Sequence, residues 1–213
     1  MRDRYKRGMS STSSPTDEPY GKSVAATLVA WLCLAAIVGL EGWLERASAP
    51  VIAAIVWTLT GLVLLGCWRV TSFREWAMTV DLRWFVVLHL TRFVGLYFFY
   101  LCARGQLPYS FAAPAGIGDI AVACFAVLLL ALPSARQWKI LIVWNTLGLT
   151  DILFVVFTAL RVGLEDWHSM HSLREFPLSL LILFLVPLII ASHVLIFFRA
   201  ARAFSEKKAE GNV

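Results

Sequence analysis

The chain has 213 residues, 59% hydrophobic and 15% charged, with a net charge of +5. Soluble domains usually carry about 25% charged residues, so this composition excludes an ordinary soluble globular protein. The apolar residues fall in long unbroken runs rather than in short alternating strands, which excludes a transmembrane β-barrel.

Residues 1–22, rich in Ser, Thr and charge, are expected to form a disordered cytoplasmic tail. Six apolar runs follow, each close to the roughly 20 residues that a helix needs to cross a bilayer. They are Val24–Leu44, Val51–Trp68, Trp84–Ala103, Pro114–Leu132, Trp138–Leu160 and Pro177–Phe198. The expected fold is all-α: a polytopic six-helix transmembrane bundle over residues 23–199, closed by a cytoplasmic tail at 200–213. Ala47-Ser48-Ala49 resembles a signal-peptide cleavage site, but Pro50 follows it directly and the preceding apolar run exceeds a signal h-region of about 7–15 residues. The first run is therefore read as a span.

Lys and Arg concentrate on the cytoplasmic side of membrane proteins. Of the 19 here, fourteen lie in the two tails and in the loops between spans two and three and spans four and five. Only Arg46, Arg104, Arg161 and Arg174 lie on the other side, and Arg92 lies within a span. The pattern places both termini in the cytoplasm. It also accounts for the net charge without a nucleic-acid partner, leaving the lipid bilayer as the expected one. Trp43, Trp68, Trp84, Trp138 and Trp167 fall near span ends, where indole favours the interface. Trp31, Trp57 and Trp144 lie deeper and are expected to pack internally. Cys33, Cys67, Cys102 and Cys124 form no close-spaced pair and are expected to be buried apolar-like residues. No phosphate-binding loop, nucleophile elbow or zinc-helix motif is present, so no catalytic residues are assigned and the chain is not expected to be an enzyme.

Polar residues inside the spans are the functional candidates, because burying an ionisable group in lipid is costly. They are His89 and Arg92 in span three, Asp119 in span four, Asn145 and Asp151 in span five, and His193 in span six. At about 1.5 Å per helical residue, His89 and His193 lie about 7 Å from the cytoplasmic ends of their spans, and Asp119 and Asp151 about 20 Å. Arg92 falls between the two layers. Asp119 shares a stripe with Ala112, Ala115, Gly116, Ala123 and Ala126, and small-residue stripes mark helix–helix contacts in membranes. Asp119 is thus expected to face the bundle interior. Pro114 is expected to open span four, which would put Asp119 in the second turn, near the positive end of the helix dipole. Between spans five and six, His168, His171 and Glu175 have helical spacing. Two His and a carboxylate so placed are candidates for a metal site; the expected reading is instead an interfacial helix anchored by Trp167 with its polar face in water.

The segments "ARGQLP" (Ala103–Pro108), "FAAPAGIGD" (Phe111–Asp119) and "WNTLGLTD" (Trp144–Asp151), together with Arg92 and Gly95, resemble an uncharacterised family of small bacterial inner-membrane proteins. The resemblance covers spans three to six. It implies a bacterial inner-membrane location and transfers no activity.

Three functions remain open at this point. Arg92, Asp119, Asn145 and Asp151 suit a small-solute or proton-coupled transporter, since transporters place their sites near the midplane. His89 and His193, at matched depth, would suit a haem b electron carrier, although no cofactor is otherwise expected. The polar cluster would equally suit a structural or accessory subunit without chemistry. A homodimer or a place in a larger membrane complex is compatible with each. The solute is not specified by the residues.

Overall fold

A computed structural model describes residues 20–132 and 137–210. The expected disordered tail, apart from Tyr20 to Lys22, lies outside the described residues, as does Arg136. Among the described residues the fold is helical throughout, without strands. The main helices are α1 (Gly21–Leu40), α2 (Ala49–Arg69), α3 (Thr71–Thr79), α4 (Leu82–Leu88), α5 (Gly95–Ala103), α6 (Tyr109–Ala131), α7 (Gln137–Glu165) and α8 (Val186–Glu210). Six segments are long and apolar enough to cross a membrane: Gly21–Leu40, Ala49–Arg69, Leu82–Ala103, Tyr109–Ala131, Lys139–Glu165 and Leu181–Ser205. The chain is a multi-pass helical membrane protein.

Three elements depart from the sequence reading. The segment between spans two and three is not a simple loop, because α3 forms there. Span four starts five residues before Pro114. Pro108 has an extended backbone (φ −70°, ψ 142°) and caps α6 from outside, and its carbonyl accepts from the amides of Phe111 and Ala112. Pro114 therefore sits inside the helix. Residues 166–178 do not form the expected interfacial helix. They run as turns, with a single 3₁₀ turn at His171–Leu173.

Two spans change helical pitch. Span three is α-helical in α4 and α5 but tightens to a 3₁₀ segment at His89–Val94 between them. Span six opens with a π turn at Leu181–Leu185 before α8. Both kinds of irregularity are uncommon inside long helices and often mark functional positions.

Span four is the centre of the packing and contacts spans three and five. The small stripe makes this possible: Ala112, Ala115, Ala123 and Ala126 are fully buried. At the crossing of spans three and four, a Cβ on Gly95 would stand 2.7 Å from the Gly116 carbonyl oxygen. Only two glycines back to back allow this approach. On the side of the bundle away from the chain termini, Arg174 lies over the Trp167 ring at 4.5 Å. It donates to the carbonyls of Glu45 and Trp167. Trp167 Nε1 donates to the Ala47 carbonyl at 2.8 Å. These contacts join the loop between spans one and two to the loop between spans five and six.

Of the aromatics expected to pack internally, Trp144 is fully buried, whereas Trp57 is half exposed on the outer face of α2. Trp31 makes an edge contact with Phe184 at 4.9 Å. Cys33 and Cys124 are likewise exposed on helix faces rather than buried. In a bilayer, an outward face offers apolar side chains the same lipid-like surroundings as the interior, so hydrophobicity alone does not select one over the other.

Candidate functional site

The polar residues of the spans fall into two adjoining clusters. The first is centred on Arg92, whose side chain is 1% exposed. Its Nε donates to Asp119 Oδ1 at 2.7 Å, one terminal nitrogen donates to the Gly148 carbonyl at 3.0 Å, and the other pairs with Asp151 Oδ2. The guanidinium fork thus ties spans three, four and five together. The fixed planar fork of Arg suits such multiple recognition, whereas a Lys ammonium would act as a point charge. Gly118 makes room for this geometry, because a side chain there would run into the Asp151 carboxylate.

Asp119 is the eleventh residue of α6, about three turns in. The helix dipole acts within the first turn, so the expected dipole stabilisation is replaced by direct pairing with Arg92. The small-residue stripe does face inward with Asp119, as its spacing indicates.

The second cluster is built on the two histidines. His89 and His193 are both fully buried, with ring centroids 4.3 Å apart. Trp144 packs edge-on against His89 at 4.8 Å, and its indole N–H donates to the Val122 carbonyl. Asn145 belongs to this cluster and not to the Arg92 cluster: its Nδ2 donates to the His193 carbonyl, and its Oδ1 lies 2.8 Å from His193 Nδ1.

The hydrogen-bond network assigns both tautomers. Asn145 uses its amide group on the His193 carbonyl, so its Oδ1 must accept from a protonated His193 Nδ1. Ser192 Oγ donates to the Ile189 carbonyl at 2.8 Å, so it accepts from His89 Nε2 at 3.1 Å. The other ring nitrogens, His89 Nδ1 and His193 Nε2, then carry bare lone pairs. Neither has a hydrogen-bond partner among the described residues. Gly148 joins the two clusters. A Cβ there would stand 2.6 Å from His193 Cε1, while its carbonyl accepts from Arg92. Neither role of Gly148 is visible in the sequence, and Ser192, neither ionisable nor a carboxamide, is not distinguished there from any other small polar residue of a span.

Axial haem ligation by this pair requires the rings to be parted by a macrocycle, whereas they are in direct contact. His168 and His171 stack at 6.0 Å, and Glu175 is exposed nearby. Among the described residues no three His, Cys, Asp or Glu side chains converge as a metal site.

A cavity of about 90 Å³ adjoins the first cluster. Arg92 and Asp119 stand at one end, and Trp167, Met170 and Leu173 at the other. The walls are otherwise apolar apart from Thr91, whose hydroxyl donates to the Leu88 carbonyl. Both pitch changes border this space: Thr91, Arg92 and Val94 come from the 3₁₀ segment, and Leu181 and Ile182 from the π turn.

No curated protein and no solved structure matches the chain. A family profile matches residues 49–201, which include the Arg92 cluster, the histidine pair and the cavity. The chain belongs to the family defined by the domain of unknown function DUF8737.

Proposed function

We infer that the protein is a small proton-coupled transporter of a bacterial inner membrane, with both termini cytoplasmic and the Arg92–Asp119–Asp151 cluster as its protonatable site. One observation carries this reading. One mid-span arginine is shared by carboxylates from two other spans, and among the described residues no other Asp, Glu, Lys or Arg lies in the middle of a span. Two carboxylates around one guanidinium leave an excess negative charge, and an uncompensated charge in apolar surroundings is strongly unfavourable. One proton bound to the carboxylates removes that excess, and its release restores it. The bare nitrogens of His89 and His193 supply proton acceptors in the next layer, linked to the cluster through Gly148. The distribution of Lys and Arg along the chain supports the orientation.

The test is proton flux in liposomes containing the purified protein and a pH-sensitive dye. Asp119→Asn and Asp151→Asn should each lower protein-dependent flux at least tenfold while leaving the protein folded in detergent. Unchanged flux in both variants would eliminate the role. The geometry of Arg92, with each of its three nitrogens hydrogen-bonded, favours a second reading in which the cluster only fixes packing. In that case the same variants melt at lower temperature, and the wild-type protein carries no flux to lose.

A further inference from the structure

We propose that the cavity beside Asp119 binds a lipophilic ammonium: an organic cation with an apolar body of roughly one aromatic ring. The proposal rests on the transporter reading, for which it names the substrate class. Three features select this ligand.

The first is the polar end. Arg92 directs one N–H from each of its three nitrogens to Asp119, the Gly148 carbonyl and Asp151, so most of its donor capacity and all of its charge are engaged within the cluster. Asp119 presents the opposite case. Its Oδ1 is paired with Arg92, while Oδ2 forms no hydrogen bond among the described residues and the residue lines the cavity. The unpaired acceptor at the cavity is therefore a carboxylate oxygen, which accepts hydrogen bonds and attracts cations.

The second is charge. With both carboxylates ionised, the cluster has one more negative than positive charge, so an anion is repelled and a cation supplies the missing compensation. The cation and the coupling proton would then serve the same site in turn.

The third is the wall. Phe98 and Phe111 line the cavity together with aliphatic side chains, and aromatic rings attract ammonium groups; Trp167 closes the far end, with Arg174 over its ring. The wall of α7 runs from Ile152 to Leu160, about 12 Å along the helix, long enough for a ring and its ammonium group. A strongly hydrated solute would lose its water shell here and find almost no polar partner in return.

The experiment is equilibrium titration of the full-length protein in detergent with benzyltrimethylammonium, and with benzylsulfonate as an anion of similar size. The cation should bind at one site, and the anion at least tenfold more weakly. Asp119→Asn should weaken the cation at least tenfold. Ala159→Trp, which fills the cavity from α7 without altering a charge, should remove cation binding while the protein still melts cooperatively. Equal binding of cation and anion, cation binding that survives both substitutions, or no binding to the wild-type protein would each overturn the proposal. Proton flux separates this failure from failure of the transporter reading. Flux that depends on Asp119 without cation binding refutes the ligand class alone. Cation binding that depends on Asp119, without flux, keeps the binding site and refutes coupled transport.

Discussion

Arg92 shows how much one side chain contributes to this structure. It is buried in the middle of a span, and it has an acceptor on each of its three sides. Removing one member of a buried ion pair costs about 3–5 kcal/mol, because the partner left behind is buried without compensation. Arg92→Gln leaves two carboxylates facing an amide and should lower the melting temperature of the detergent-solubilised protein sharply. Arg92→Lys keeps the charge and loses the fork, so its melting temperature should fall between those of Arg92→Gln and the wild type. Equal melting temperatures for all three proteins would contradict this account of the cluster. The histidine pair works through hydrogen-bond direction instead. Ser192 and Asn145 each hold one ring nitrogen as a donor, which leaves the other as an acceptor.

At the scale of elements, the close crossing of spans three and four positions both ends of the Arg92–Asp119 bond. Gly95 and Gly116 let the backbones meet, and the Cβ of Asp119 would lie only 3.2 Å from a Cβ on Gly95. Gly95→Val should separate the spans, lengthen the ion pair and destabilise the fold by about 1–3 kcal/mol, the usual range for overpacking. Gly61→Val in α2 is the control, since a Cβ there meets nothing within 4 Å. Thermal melting of the two variants side by side checks the difference, and equal losses would show that the crossing is not tight. The 3₁₀ segment bears on the same geometry. With about three residues per turn, it eclipses side chains three apart, which puts His89 and Arg92 in one line facing spans four to six. Their sequence spacing already indicates a common face. The change of pitch is not legible there, because nothing in "HLTRFV" excludes an ordinary α-helix.

For the whole molecule, the proposed orientation puts both tails in the cytoplasm. Single cysteines at Ser10 and Gly211, each in a chain lacking the four native cysteines, should both react with a membrane-impermeant maleimide added to sealed inverted vesicles, and neither should react when it is added to intact cells. Labelling of the two positions from different faces would refute the orientation.

The spans, the mid-span polar residues and the inward face of Asp119 were legible because they rest on local quantities: run length, residue type and helical spacing. Matched depth also pointed to the pairing of His89 with His193 and to a shared layer for Asp119 and Asp151. The start of span four was misread because Pro114 and Pro108 both suit a helix beginning, and only the hydrogen bonds to the Pro108 carbonyl decide between them. Partnership was the larger gap. That Asn145 belongs to His193, that Gly148 serves both clusters and that Asp119 borders a cavity all depend on how helices far apart in the chain rotate and cross. The sequence by itself determined a six-span membrane protein with a few costly polar groups, because the bilayer penalises every exposed charge. Only the tertiary structure decided which of those groups meet and which oxygen is left for a ligand, because the bilayer penalty is the same for every arrangement that buries them.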